Sequence, residues 1–203
     1  MGEVAGLRER KKQRTREQIV EAATRLFAER GYEAATIADI AAAADIAPRT
    51  FFAYFPSKEA VVFHETERDY GSLAERLKSR PDGEYAFTAL RGWIDERIAS
   101  AQRDREGARL RKELCAHSED LQRVQHAIMA RFEELLRGEI ARDLDEPADA
   151  LRPRLVAAAT IAGLSLLVDA PPRSPEESAA VLDEVLAFMQ SGLEGLQRRE
   201  RAS

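Results

Sequence analysis

The strongest constraint on this chain lies between Thr36 and Phe55, where two helix starts stand too close together for anything but a tight turn. Thr36-Ile37-Ala38-Asp39 sets a capping hydroxyl three residues ahead of a carboxylate, and the alanine-rich run to Ala44 favours helix. Pro48 has its φ fixed near the helical value and lacks an N–H, so it suits the first position of a second helix. Between them Ala44-Asp45-Ile46 must reverse the chain, and Asp is among the few non-glycine residues that tolerate positive φ. Ala41 keeps the crossing point small, while Ile40, Ile46 and Phe51 supply apolar contact between the arms. The segment spells helix, turn, helix, with about seven residues in each arm. The same pattern fits a generic pair of core helices, so the flanking residues have to decide what it is for.

Those flanks are aromatic and cationic. Phe51, Phe52, Tyr54 and Phe55 place four rings in five positions. A head of about fifty residues buries little surface and needs large side chains to hold it together. Phe51 and Phe55, four apart, share a helical face that Phe27 can meet, and are expected in the core. Phe52 and Tyr54 point elsewhere, and a phenol can donate to a phosphate oxygen. Pro48, Arg49 and Thr50 form the first turn of the second arm, where a reading helix meets base edges. An arginine there binds guanine O6 and N7 together and discriminates by about 1–3 kcal/mol. Lys58, behind a capping Ser57, is a cation at the positive end of a helix dipole, a pairing that a phosphate would relieve. Thr36, also at a helix start, completes the set of expected DNA contacts.

Charge supports the same division. The chain has 203 residues and a net charge of −5, which alone argues against nucleic acid. Residues 1–16 nevertheless hold six basic groups against two acidic ones. A basic head on an acidic body suggests two tasks on one chain. Thr15-Arg16-Glu17-Gln18 reads as a capping box, so the first helix is expected over roughly 15–30, with the basic tail able to extend it backwards. Gly31 follows as its left-handed terminator.

The stretch from Thr15 to Val62 resembles the TetR family of one-component transcriptional regulators. The residues that carry the resemblance are Thr36, Ile40-Ala41, Ala44-Asp45-Ile46, Thr50-Phe51-Phe52, Tyr54-Phe55 and Ser57-Lys58-Glu59. Three positions depart from the family's commoner pattern: Asp45 where Gly is usual, Ala47 where a capping Ser is usual, and Arg49 where a small residue is frequent. The last implies an operator unlike those of better-known relatives. The resemblance implies an all-α homodimer with residues 1–57 as basic tail and three-helix DNA-binding head, and 58–203 as a helical effector-binding and dimerisation body. It also implies a small-molecule effector that releases a near-palindromic operator. The stretch 109–169 resembles a branch linked to acyl-coenzyme A ligands, although an acidic body would not obviously attract a polyanionic coenzyme.

Beyond residue 57 every periodic segment is helical and none reads as strand. A helix capped by Ser57 is expected to run unbroken to about Arg80, where Pro81-Asp82-Gly83 ends it. Later helices are expected over 85–99, from Ser118, over 151–170 and from Ser174-Pro175. Phe87, Trp93, Ile94, Met129 and Phe132 are candidates to line an effector pocket for an apolar or acyl-coenzyme A-like molecule. Leu182, Leu186, Met189, Leu193 and Leu196 repeat at heptad spacing, and Ala159, Ala162 and Gly163 permit close helix approach. These residues fit either a dimer seam or an intrachain core, which spacing does not separate.

Rival chemistries find little support. His64-Glu65-Thr66-Glu67 is not a zinc-protease motif, and Ala162-Gly163-Leu164-Ser165-Leu166 is not a nucleophile elbow. Cys115, His117 and His126 offer three metal ligands without a clear fourth. No cofactor or enzymatic activity is expected. The alternative is a helical protein-interaction module whose head binds another protein. With one cysteine, no apolar leader and no long apolar run, a cytoplasmic protein that does not span a membrane is expected.

Overall fold

The computed structural model describes residues 2–101, 105–169, 177, 180–189 and 191, and every regular element among them is a helix. In chain order these are α1 (Gly2–Arg30), α2 (Ile37–Ala43), α3 (Pro48–Phe51), α4 (Lys58–Val62), α5 (His64–Lys78), α6 (Ala86–Ala101), α7 (Arg105–His117), α8 (Glu119–Leu144) and α9 (Leu151–Asp169). Residues 180–189 are also helical. The chain forms two compact units, one of Met1–Glu67 with Arg105–Gln125, the other of Arg68–Asp104 with His126–Ser203.

In the first unit α1 takes the backward extension into the basic tail that the sequence allowed. The helix does not begin at Thr15; it begins at Gly2, and Thr15 lies inside it with its hydroxyl donating to the Lys11 carbonyl. Arg, Lys, Glu and Gln are good helix formers, so the tail continues the helix where the sequence offered a cap. Burial starts only at Ile19, which with Ala22, Ala23, Leu26 and Phe27 faces the core. Gly31 (φ 80°) donates its N–H to the Phe27 carbonyl and closes the helix in the left-handed conformation.

The turn after α2 follows from its hydrogen bonds. Asp45 takes φ 54°, its N–H reaches the Ala42 carbonyl, and the Ile46 N–H reaches Ala41. Those two bonds are the Schellman arrangement, with aspartate in the position usually held by glycine. The second arm is shorter than expected: only Pro48–Phe51 is α-helical. It is prolonged by a turn in which the Tyr54 and Phe55 N–H groups both bond to the Phe51 carbonyl. Ala47 caps α3 without a side-chain hydrogen bond, so the proline at N1 starts this helix unaided.

A correction concerns the segment from Ser57 to Arg80. Ser57 caps α4 through Ala60 as expected, yet the helix is interrupted at Phe63, where φ is −98° and ψ is 12°. The ladder is bent, not severed: the Phe63 N–H bonds Glu59 and its carbonyl accepts from Glu67. Phe63 is only 2% exposed.

The second unit is organised around Arg80. Its guanidinium, 6% exposed, pairs with Glu139 and with Asp143, the latter at 2.8 Å. Asp143 also accepts the Ala86 N–H at 2.6 Å, placing a carboxylate at the start of α6. Leu73, Leu77, Leu90, Leu136 and Ile140 are buried in this unit. Gly83 (φ 85°) completes the expected break between α5 and α6. Asp145 ends α8 as Asp45 ends α2, with φ 53°, its N–H reaching the Arg142 carbonyl and the Glu146 N–H reaching Ala141. Gly163 lies so near Val185 that an added Cβ would come within 2.9 Å of its Cγ1. The expected helix start at Ser174-Pro175 and the positions Leu193 and Leu196 lie outside the described residues.

Candidate nucleic-acid interface

The first unit presents its polar residues on a scaffold of rings. Phe51 and Phe55 are fully buried, with ring centroids 6.0 Å apart, and Phe27 is buried beside Tyr32 at 5.4 Å. Phe52, on the next helical position, is 56% exposed and meets only the edge of Phe51. Pro48 and Arg49 are exposed and Thr50 and Tyr54 half-buried. The structure thus brings Pro48, Arg49, Thr50, Phe52 and Tyr54 together on one short arm, braced from beneath by Phe51 and Phe55.

Thr36 and Lys58 are placed differently. The Thr36 hydroxyl is engaged in the capping box: it contacts Asp39 Oδ2 at 2.5 Å and accepts the Asp39 N–H at 3.1 Å. Thr36 supplies two hydrogen bonds to Asp39 that hold its carboxyl below the usual carboxylate range. Lys58 does not project freely from the start of α4. Its Nζ donates to the Tyr32 carbonyl at 2.7 Å and stands 4.0 Å from the centroid of the Tyr32 ring. The Tyr32 hydroxyl in turn donates to Glu59 at 2.5 Å. Burial, then the bond to Glu59, pushes the Tyr32 phenol far above its ordinary value. Burial alone would raise Glu59, but hydrogen bonds from Ser57 and Tyr32 outweigh it and hold the carboxyl low. One tyrosine therefore ties the α1–α2 connection to the first turn of α4.

Sequence reasoning missed this knot, and it also missed Arg16. The Arg16 Nη1 donates to the Tyr54 carbonyl at 3.1 Å, and its guanidinium lies 4.2 Å over the Phe55 ring. A signal existed for Arg16, which shares a helical face with Ile19 three residues later. No local signal joins Tyr32 to Glu59, because the pair is separated by 27 residues.

In the second unit Phe87 and Phe132 are buried, and Trp93, Ile94 and Met129 are half-buried. Phe132 stands edge-on to Tyr70 at 5.3 Å, and the Trp93 indole donates to Ser72 at 3.1 Å. Among the described ring contacts none joins Phe87 or Trp93 to Phe132. Of the residues expected at a dimer seam, Leu182 and Leu186 are buried within this single chain, Ala159 and Met189 are half-buried, and Ala162 is exposed. In the first unit Cys115 is buried, and the His117 ring contacts the Glu113 carbonyl of its own helix. No helix among the described residues is long and apolar enough to cross a membrane.

Comparison with known proteins places this geometry. The family model described as bacterial regulatory proteins, tetR family, matches residues 19–64. The transcriptional regulator TcmR of Streptomyces glaucescens is 41% identical over 87 residues, 43% of this chain and 38% of that protein. The chain spans less than half the length of the curated relatives it matches. Similar solved structures include a SmeT–triclosan complex, SmeT being the repressor of a multidrug efflux pump in Stenotrophomonas maltophilia. It has 23% identity and a TM-score of 0.61, covering 86% of this chain and 90% of that one. NalD, a secondary repressor of a multidrug efflux pump in Pseudomonas aeruginosa, has 24% identity and a TM-score of 0.60, covering 89% and 97%. At these identities the solved structures speak for the all-helical fold. The sequence of the head adds a likeness of its own: residues 19–64 match the model of the tetR family of bacterial regulatory proteins.

Proposed function

We propose that the protein is a cytoplasmic, ligand-responsive transcriptional regulator, a repressor and not an enzyme, with residues 1–57 as the DNA-binding head and 58–203 as the regulatory body. The observation that carries this reading is the arm from Pro48 to Tyr54. It follows the Schellman turn that closes α2 at Asp45, is wedged from below by Phe51 and Phe55, and offers Pro48, Arg49 and Phe52 to solvent. Arg49 is the base reader, while Thr50 and Tyr54 fix register on the backbone. Lys58 and Thr36 reach a phosphate only by exchanging the partners they now hold. Phe52, apolar and exposed, is suited to a thymine methyl or a sugar face.

Two reading arms on a two-fold axis would engage two half-sites of a near-palindrome. The seam for that homodimer is the face of α9 carrying Leu151, Leu155, Ala162 and Leu166. These leucines are 76%, 56% and 73% exposed, and Phe188, also 73% exposed, adds to the apolar surface of the second unit. An effector, apolar or acyl-coenzyme A-like, would bind among the body residues Phe87, Trp93, Ile94, Met129 and Phe132. The SmeT–triclosan complex supports an apolar molecule for that fold. Its binding would favour a head arrangement that releases DNA.

The test uses the full chain and duplexes enriched from a random pool by the protein itself. Selective binding that falls steeply with salt is expected, and Arg49→Ala should lose about 1–3 kcal/mol of discrimination at one base position. Enrichment of no sequence, or binding indifferent to salt, would sink the regulator reading and favour a protein partner for the head.

A further inference from the structure

Residues 6–18 lie outside both the region matched by the family and the packed core, since each begins at Ile19. They are nonetheless helical, continuous with the rest of α1. Between Gly6 and Gln18 every residue is exposed or half-buried. From Gly6 to Thr15 no side chain is buried, so the helix there rests on its own backbone bonds and on good helix formers.

The charges on this extension are ordered. At 100° per residue, Arg8, Lys12 and Arg16 form one stripe that runs directly into Ile19, Ala23 and Leu26, the face of α1 buried in the head. Lys11 and Thr15 lie alongside on the same face, leading to Ala22. Glu9 lies at one edge, while Gln13 and Glu17 bond each other farther round at 2.8 Å. Arg8, Lys11 and Lys12 are exposed and make no ion pair or side-chain hydrogen bond among the described residues. At its inner end the stripe is tied to the reading arm, because Arg16 donates to the Tyr54 carbonyl and covers the Phe55 ring. From Arg8 to Arg16 it spans roughly 12 Å, comparable with the major-groove width of about 12 Å.

We propose that the N-terminal extension of α1 is a second DNA-contacting surface, in which Arg8, Lys11 and Lys12 engage the phosphate backbone beside the half-site read by the Pro48–Tyr54 arm. The proposal rests on the regulator reading and extends it. The partner is a duplex because the stripe is uncompensated positive charge, in line with a face of the head and anchored on the very arm that reads bases. It carries no sequence information of its own: arginine and lysine without a fixed geometry neutralise phosphates and release counterions. It therefore widens the footprint on DNA and strengthens binding without changing which sequence is bound.

The experiment compares two duplexes carrying the same selected site, one cut at its edges and one with about ten further base pairs on each side, a full helical turn. The full-length protein should bind the longer duplex more tightly and with a steeper salt slope. The triple variant Arg8→Gln, Lys11→Gln and Lys12→Gln keeps helix-forming residues and should lose that advantage. Its slope should become shallower by about 1 for each contact removed, with base preference unchanged. Circular dichroism of the variant checks that the helix survives. Equal gain from flanking DNA in variant and wild type would overturn the proposal, as would an equal loss on both duplexes, which would place the charges at the half-site itself. Arg49→Ala separates the two claims: if it leaves selectivity intact while the flank effect persists, the base-reading assignment fails and the extension stands. If no sequence is enriched, both fall together.

Discussion

The two units fix their polar groups differently. In the first, helix ends are capped close at hand, by Thr36 with Asp39, Asp45 and Ile46 with the end of α2, and Ser57 with Ala60, while Tyr32 with Glu59 and Arg16 with Tyr54 bridge farther along the chain. Rings then fill the small core. In the second unit, ionised side chains are drawn inward, with Arg80 held between Glu139 and Asp143 about sixty residues away. That unit also leaves leucines of α9 bare at the surface. The difference teaches where specificity of structure comes from. The helix ends around the Pro48–Tyr54 arm are set by short-range caps, whereas the second unit draws an ion pair inward between residues distant in the chain.

This contrast can be broken, most forcefully in the head. Phe51→Ala removes a fully buried ring from a core with few others. It should cost about 3–5 kcal/mol and abolish DNA binding. If the units fold independently, a two-step denaturant curve should appear in which only the first transition moves. A single transition moving as a whole would show that the head is not independently sustained.

Arg80→Met tests the body's side of the comparison. It strands two carboxylates at a site where the guanidinium was 6% exposed, and should cost about 3 kcal/mol in the same measurement. The double change with Glu139→Leu should recover part of that loss. No recovery would mean that the charges serve α6, through Ala86, more than the core.

Tyr32→Phe should be milder, about 1.5 kcal/mol, because it removes one hydrogen bond to a carboxylate. Its pH dependence sharpens the reading. Glu59 is held below its ordinary value of 4.5 in the folded state, so the stability it contributes is present above that value and lost as pH falls through the folded one. The gap between wild type and Tyr32→Phe should therefore narrow below about pH 4.5. A gap that stays constant in acid would show that the hydroxyl, not the carboxylate, carries the interaction. Thr36→Ala, which removes the capping box of α2, should cost about 1 kcal/mol by thermal unfolding. Loss of binding without loss of stability would instead give Thr36 a direct role at the phosphate.

What the sequence by itself determined is the set of features written in adjacent residues. The caps at Thr36 and Ser57, the positive φ at Gly31 and Asp45, the proline start of α3 and the burial of Phe27, Phe51 and Phe55 were all legible. Each depends on groups within about four residues, or on helical periodicity, and so needs no knowledge of the fold. Even there, propensity misled once: Thr15 carries a cap signature, yet continuous helix formers on both sides keep it inside α1. Only the tertiary structure decided the rest. It bent the helix at Phe63, tied Lys58 and Glu59 to Tyr32, set Arg16 against Tyr54 and Phe55, and paired Arg80 with α8. It also turned Leu182 and Leu186 inward while leaving Leu155 and Leu166 bare. Heptad spacing states that a helix has an apolar face, but which partner covers it is settled by packing among segments distant in the chain.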